Sequence, residues 1–146
     1  MLDRPTTFEV LPMAVSTSYT FGTRVPGPVA AVRPRVEAAL RAEGFGVLTE
    51  IDVQATMKAK LGVDRPPYLI LGACNPPLAN RAIEADPAVG ALLPCNVVLR
   101  EDGADTIVEA MDPMAALGIV GTEAIRAIAE EAKVRLVRAV ERLDRG

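Results

Sequence analysis

The sequence predicts an α+β domain, with helices packed on one face of a mixed, partly antiparallel sheet of about five strands. Runs of β-forming residues alternate with amphipathic segments, a strand–turn–strand pattern follows Cys95, and a long helical stripe ends the chain. A chain of 146 residues has the usual length of one domain with one core. We therefore expect a single domain over residues 15–146. Residues 1–14, which contain two prolines and little periodicity, read as a lead-in segment with at most a short edge strand at residues 8–11.

The first half of this domain reads as two strands and two helices. Alternating side chains predict a strand over residues 15–21, and apolar residues spaced by three and four predict a helix that ends near Glu43. Pro34 leaves two alternatives, a kinked helix from near Pro28 or a shorter helix, because proline is tolerated only in the first turn. Residues 45–51 predict a second strand, and Asp52 caps a short helix over residues 53–61.

A continuous apolar run at residues 68–73 predicts a central strand that brings Cys74 to its end. Pro76 and Pro77 then start a helix that continues through Ala85. If this helix connects parallel strands, the crossover is right-handed.

The last part of the chain reads as a hairpin followed by a helix. Residues 95–100 and 105–110 flank a turn and predict two antiparallel strands. A short helical turn over residues 114–117 follows, and Thr122 caps a final helix that ends near Leu143.

Composition excludes several classes of function. A formal charge of -3 and a pI near 5.0 argue against nucleic-acid binding, which favours a basic surface. No apolar run approaches the length of about 20 residues that spans a bilayer, and the start of the chain lacks the apolar region of a signal peptide. We therefore expect a cytoplasmic protein that contacts neither nucleic acid nor membrane.

Two cysteines, each followed by asparagine, are the main candidates for chemistry. The chain has no histidine, so Cys74 and Cys95 are its best groups for nucleophilic or redox reactions near neutral pH. A catalytic triad is excluded, and no glycine-rich phosphate loop is present. In a reducing cytoplasm we expect free thiols or transient bonding rather than a permanent disulfide.

Cys74 lies just before a predicted helix that Asn75 caps. The helix dipole there would lower the pKa of the thiol, whereas the alternative is a buried small apolar residue beside a simple cap. Cys95 begins the next strand and would meet Cys74 if the two strands are antiparallel; the alternative is two separate core cysteines.

Other polar residues are weaker candidates for a functional site. Glu50 and Asp52 share one face of a strand and suit acid/base chemistry, but a cap at Asp52 and an ion pair of Glu50 with Lys58 or Lys60 explain them better. Asp112 before Pro113 reads first as a turn. Without histidine or a Cys-x-x-Cys motif, we expect neither a metal nor a cofactor.

Four segments together resemble the family named domain of unknown function 302. They are FGVLTEID at 45–52, LGACNP at 71–76, LLPCNVV at 92–98, and Asp112-Pro113, and the resemblance runs from about Ser16 to Leu143. It implies a small α+β fold with helices on a mixed sheet, often a dimer, and no particular activity. The positions to which it transfers are Glu50, Asp52, Lys60, Cys74, Asn75, Cys95, Asn96 and Asp112.

These observations favour a small module, expected to be a homodimer, that binds a small-molecule ligand or senses redox state around the two Cys-Asn pairs. One alternative is a thiol-dependent enzyme with Cys74 as thiolate and Cys95 as resolving partner. In a second alternative, both Cys-Asn pairs have a purely structural role.

Overall fold

The computed structural model describes residues 15–144, so the lead-in predicted for residues 1–14 and its edge strand lie outside the described residues. Strands and helices alternate along the described chain. The strands are β1 (Val15–Ser16), β2 (Thr20–Pro26), β3 (Gly46–Asp52), β4 (Tyr68–Cys74), β5 (Cys95–Asp102) and β6 (Asp105–Met111). The α-helices are α1 (Val29–Ala42), α2 (Val53–Leu61), α3 (Pro76–Ala85), α4 (Pro113–Leu117) and α5 (Glu123–Asp144), with short 3-10 turns at Pro87–Leu92 and Gly118–Val120.

The strands form one sheet in the order β1-β2-β6-β5-β4-β3, and each neighbouring pair is antiparallel. The α+β class is confirmed, with six strands rather than about five. A parallel crossover between β4 and β5 is wrong, because Ala73 lies opposite Cys95 in antiparallel register. The connection of α3 and its 3-10 turn leaves and re-enters the sheet at the same end.

The first strand differs from the prediction. Residues 15–21 are divided between β1 and β2, because the Thr17 hydroxyl accepts hydrogen bonds from the backbone N–H groups of Tyr19 and Thr20 and closes a tight turn. A local side-chain-to-backbone bond of this kind competes with strand pairing. The alternation that predicted one strand therefore crosses a hairpin turn.

Helices α1 and α5 pack on one face of the sheet. The core contains Val32 and Val36 from α1, Leu136 and Val140 from α5, and sheet residues such as Leu71 and Leu99. Pro34 lies inside α1, so the longer helix is the correct alternative. The first-turn N–H of Val29 is satisfied by the Glu101 carboxylate at 2.8 Å.

The opposite face of the sheet carries half-buried apolar side chains and an ion pair. Arg100 Nε lies 3.0 Å from Glu109 Oε1 across the β5–β6 pair, near Ile70 and Val98. Within residues 15–144, no helix has the length and apolar character needed to cross a membrane.

Candidate functional site

The two cysteines come together at one end of the sheet. Cys74 ends β4 and Cys95 begins β5, directly opposite Ala73. Both are free thiols; Cys95 is buried and Cys74 is half-buried. The antiparallel register therefore places Cys74 one position beyond the residue that lies opposite Cys95.

Both thiols line one cavity of about 280 Å³ between the end of the sheet and the helices. This volume is close to the lower end of the range of ligand pockets, about 300–1,000 Å³. Other parts of its wall come from Phe45, from Leu78, Ala79 and Ala82 of α3, and from Ile128 and Ala132 of α5. Small alanine side chains on facing elements leave the space unfilled.

The cavity is lined almost entirely by apolar side chains and reaches the protein surface. Leu48, which is 65% exposed, and Ile83, which is 44% exposed, lie on its lining and mark where it meets solvent. A lining of this kind favours burial of an apolar molecule, because contact with water is lost on both sides.

Gly44, just after α1, turns the chain so that Phe45 lines the cavity. Gly44 has a φ of +85°, and the backbone N–H groups of Gly44 and Phe45 bond to the carbonyls of Arg41 and Leu40. These two bonds form a Schellman motif, which ends a helix and turns the chain sharply. The next residue, Phe45, is buried and contributes to the cavity.

Asn75 is the main polar residue of the cavity lining. Its Oδ1 accepts a hydrogen bond from Leu78 N at 3.2 Å, so the predicted cap of α3 is correct. The residue is 8% exposed. Its Nδ2 donates to no other residue of the described chain.

Burial raises the pKa of both thiols. The pKa of Cys74 lies above its ordinary value, and burial together with the neighbouring Cys74 raises the pKa of Cys95 to about 11. The expectation that the helix terminus lowers the pKa of Cys74 is therefore wrong. Burial disfavours the charged thiolate and is the cause of the upward shift.

Four other residues named from the sequence lie outside the cavity lining. Glu50 pairs with Arg33 of α1 at 2.7 Å rather than with Lys58 or Lys60. Lys58 instead pairs with Asp64 at 2.9 Å. Asp52 caps α2 through Ala55 N at 2.9 Å, as predicted, while Lys60 and Asn96 are exposed.

Asp112 also lies away from the cavity lining. Its Oδ1 accepts from Met114 N at 2.9 Å and its Oδ2 lies 2.7 Å from Lys133 Nζ, with each side chain 17% exposed. It therefore caps α4 and ties that helix to α5, rather than forming only a turn. Among residues 15–144, no three Cys, Asp or Glu side chains are grouped as a metal site.

Sequence reasoning missed the helical walls of the site. Ala79, Ala82 and Ala132 follow the helical spacing expected of core residues, and only their small size indicated unfilled space.

Comparison with known proteins agrees with this fold. A crystal structure of an uncharacterized conserved protein DUF302 from Bacillus stearothermophilus is similar, with a TM-score of 0.79 and 29% identity over 86% of this chain and 98% of that chain. No curated protein shows significant similarity to the sequence. The family model described as domain of unknown function DUF302 matches residues 21–143. The chain therefore belongs to the DUF302 family.

Proposed function

We propose that this protein binds a small, largely apolar molecule in the cavity at Cys74 and Cys95. The observation that carries the proposal is the cavity itself, an apolar space of about 280 Å³ built from the two sequence motifs and two helices. Its surface opening at Leu48 and Ile83 supplies a route for a ligand. The ligand would be sequestered or sensed rather than chemically changed.

The raised pKa values favour binding over thiol chemistry. A thiol whose pKa is about 11, as at Cys95, is almost wholly protonated at neutral pH, and the protonated form is a poor nucleophile. Cys74 is shifted in the same direction. In this proposal both thiols act as polarisable apolar wall groups, as buried cysteines commonly do.

Titration with 1-octanol, followed by ¹H–¹⁵N NMR, tests the proposal. We expect saturable shift changes concentrated at Ala73, Ala79, Ala82 and Ala132. Ala79→Leu should abolish them by filling the cavity, whereas Ala85→Leu on an exposed position of the same helix should not. Shifts that are absent, or unaffected by Ala79→Leu, would overturn the proposal.

Alkylation with iodoacetamide in the native state separates binding from thiol chemistry. At pH 7.5 we expect Cys74 to react slowly, Cys95 more slowly still, and 1-octanol to protect both. Fast alkylation of Cys74 that 1-octanol does not slow would favour the thiol-dependent enzyme instead.

The homodimer and the cytoplasmic location stay predictions from the sequence. Analytical ultracentrifugation of the full chain over a range of concentrations tests the first, with a mass of twice 15.4 kDa as the expected result.

A further inference from the structure

We infer that two copies of this chain form a dimer through the face of the sheet that is turned away from α1 and α5. The apolar side chains that define this open face are Ile51, Tyr68, Ile70, Val98 and Ile107. The sequence led us to expect a homodimer, and the inference adds the surface at which the copies meet. It does not depend on a ligand in the cavity.

The strand register places the aliphatic centre of the open face on three neighbouring strands. Ile70 of β4 lies opposite Ile51 of β3 and opposite Val98 of β5. Residues directly opposite each other in antiparallel strands share a face of the sheet. Leu71 and Leu99, which alternate with them along the strands, belong to the core under the helices. The three aliphatic side chains therefore form a row on the other side of the sheet.

Ile107 extends the open face to β6. It lies opposite Arg100, which in turn lies opposite Tyr68, and it lies opposite Arg24 on its other side. Ile107 is only 4% exposed, yet it belongs to neither buried core of residues 15–144. The two arginines that flank it can cover it with their apolar stems, as long charged side chains commonly do.

Strand β4 has the sequence of a strand that is covered on both faces. Its residues 68–73 form a continuous apolar run, whereas a strand with one face in water alternates apolar and polar side chains. Among residues 15–144, the side of Leu71 is packed in a core, while Tyr68 and Ile70 on the other side stay half-buried. Helix α2 contacts β4, but none of its residues is buried, so it does not form a second layer. A second copy of the chain supplies such a layer.

The charged groups of the open face are already paired within the chain. Arg100 Nε lies 3.0 Å from Glu109 Oε1, and the Glu109 side chain is 11% exposed. At one end of the face, Arg24 pairs with Asp102 at 2.7 Å and with Asp105 at 3.4 Å and forms a polar rim. Burial of paired charges leaves none without a partner, which limits its cost. These positive and negative groups nearly balance, so the same face of a second copy brings no large charge of like sign.

The area of the open face agrees with that of a stable dimer interface. Strands β2 to β6 have seven or eight residues each. With strands about 4.8 Å apart and about 3.3 Å per residue, these five strands form a face of about 24 Å by about 23 Å, so two copies would cover about 1,100 Å² in total. Specific interfaces generally exceed about 1,000 Å², and a two-fold dimer uses the same patch on both copies.

The free edge of β3 is a poorer surface for a second copy. Most of its residues are exposed, but its register with β4 shifts between Val47 and Thr49. A bulge of this kind twists an edge strand and interrupts the row of backbone groups with which another strand would pair. Contact through the open face is therefore favoured over a sheet that continues from one copy to the next.

Analytical ultracentrifugation of the wild-type chain and of two variants of the open face tests the inference. We expect a mass of twice 15.4 kDa for the wild-type chain. Ile70→Lys and Val98→Lys each bring two like charges together across the interface, and each should weaken the dimer at least about tenfold. Val134→Lys is the matched control, because Val134 is 48% exposed on α5, away from the open face, and it should leave the dimer unchanged.

Methyl NMR of the wild-type chain locates the interface directly. With labelled isoleucine methyl groups and a soluble gadolinium chelate, we expect the signal of Ile51, which is 50% exposed in the single chain, to be protected from broadening. Ile119, which is 76% exposed, should be broadened. The protection of Ile51 should be lost in Val98→Lys. Circular dichroism checks folding, and if neither lysine variant folds, the protection of Ile51 in the wild-type dimer decides.

Three outcomes would overturn the inference. A wild-type mass of 15.4 kDa even at millimolar concentration would exclude the dimer. A dimer that both lysine variants leave unchanged would have its interface elsewhere. Protection of Ile51 in a monomeric chain would mean that something other than a second copy covers the open face. The cavity is tested separately by 1-octanol, so each of these outcomes leaves the proposed function standing.

Discussion

The Glu43 carboxylate, on a residue only 5% exposed, accepts two hydrogen bonds from Arg142, which lies 99 positions later in the chain. Both bonds go to Oε2, from Nε at 3.2 Å and from Nη2 at 2.9 Å. The pair joins the end of α1 to α5 and holds the turn at Gly44 beside the cavity. Because Arg142 is half-exposed, we expect Glu43→Gln to lower the free energy of unfolding by about 1–2 kcal/mol.

Urea unfolding followed by circular dichroism measures this effect. Glu37→Gln is the control, since Glu37 pairs with Arg33 and Arg41 on the exposed side of α1. Its loss should be within about 0.5 kcal/mol. Equal losses in the two variants would contradict a special role for the Glu43–Arg142 pair.

The thiol of Cys95 makes the free energy of unfolding depend on pH in the alkaline range. Its pKa is about 11 in the folded chain, whereas an unfolded thiol titrates near about 8.5. The folded state therefore keeps a proton that the unfolded state loses, so the stabilisation is full below about pH 8.5 and is lost as pH rises toward 11. We expect the free energy of unfolding to fall by about 2 kcal/mol between pH 7 and 10 from this group.

Comparison with Cys95→Ala isolates this contribution from lysine and tyrosine titration. The variant lacks the thiol, so its urea midpoints should fall less steeply with pH than those of the wild-type chain. Two parallel pH curves would show that the thiol does not titrate as the structure indicates.

Gly72 on β4 packs closely against two residues from neighbouring parts of the chain, Thr49 and Pro94. A Cβ there would meet Thr49 Oγ1 on β3 and lie 2.8 Å from Pro94 Cγ. Gly72→Ala should therefore destabilise the protein by about 1–3 kcal/mol, as overpacking does. Gly46→Ala on β3, where nothing lies within 4 Å, should be neutral or slightly stabilising in the same thermal unfolding assay.

Asn75 also stabilises the fold through its bond to Leu78 N. Asn75→Ala should cost about 1 kcal/mol, the usual loss of a helix cap, and Asn75→Asp should cost less because an oxygen acceptor remains. Chemical denaturation of both variants tests this order. A reversed order would mean that the amide nitrogen, rather than the cap, stabilises the native state.

Local patterns in the sequence predicted most elements well. The run before Cys74, the prolines that start α3, the hairpin after Cys95 and the stripe of α5 each depend on neighbours in the chain. The cap at Asn75 and the approach of Cys95 to Cys74 under antiparallel pairing followed from the same reasoning.

The rest depends on tertiary contacts that a single sequence does not encode locally. The partner of Glu50 is Arg33 because α1 packs over β3, and the thiol of Cys74 has a raised pKa because the fold partly buries it. The split of the first strand depends on one threonine hydroxyl, Thr17. The empty space beside the cysteines arises from small residues on three separate elements.

The order of the strands in the sheet determines which strand pairs can form early during folding. Strands β3, β4 and β5 each pair with the next strand along the chain, but β2 pairs with β6 and places Phe21 opposite Ala110. Closing so long a loop costs entropy that the four-strand meander does not incur. During synthesis the meander can form before α5 leaves the ribosome. Strand β2, although made earlier, can pair only after β6 has been made. The cavity then acquires its last wall, from Ile128 and Ala132, only when the C-terminal helix docks.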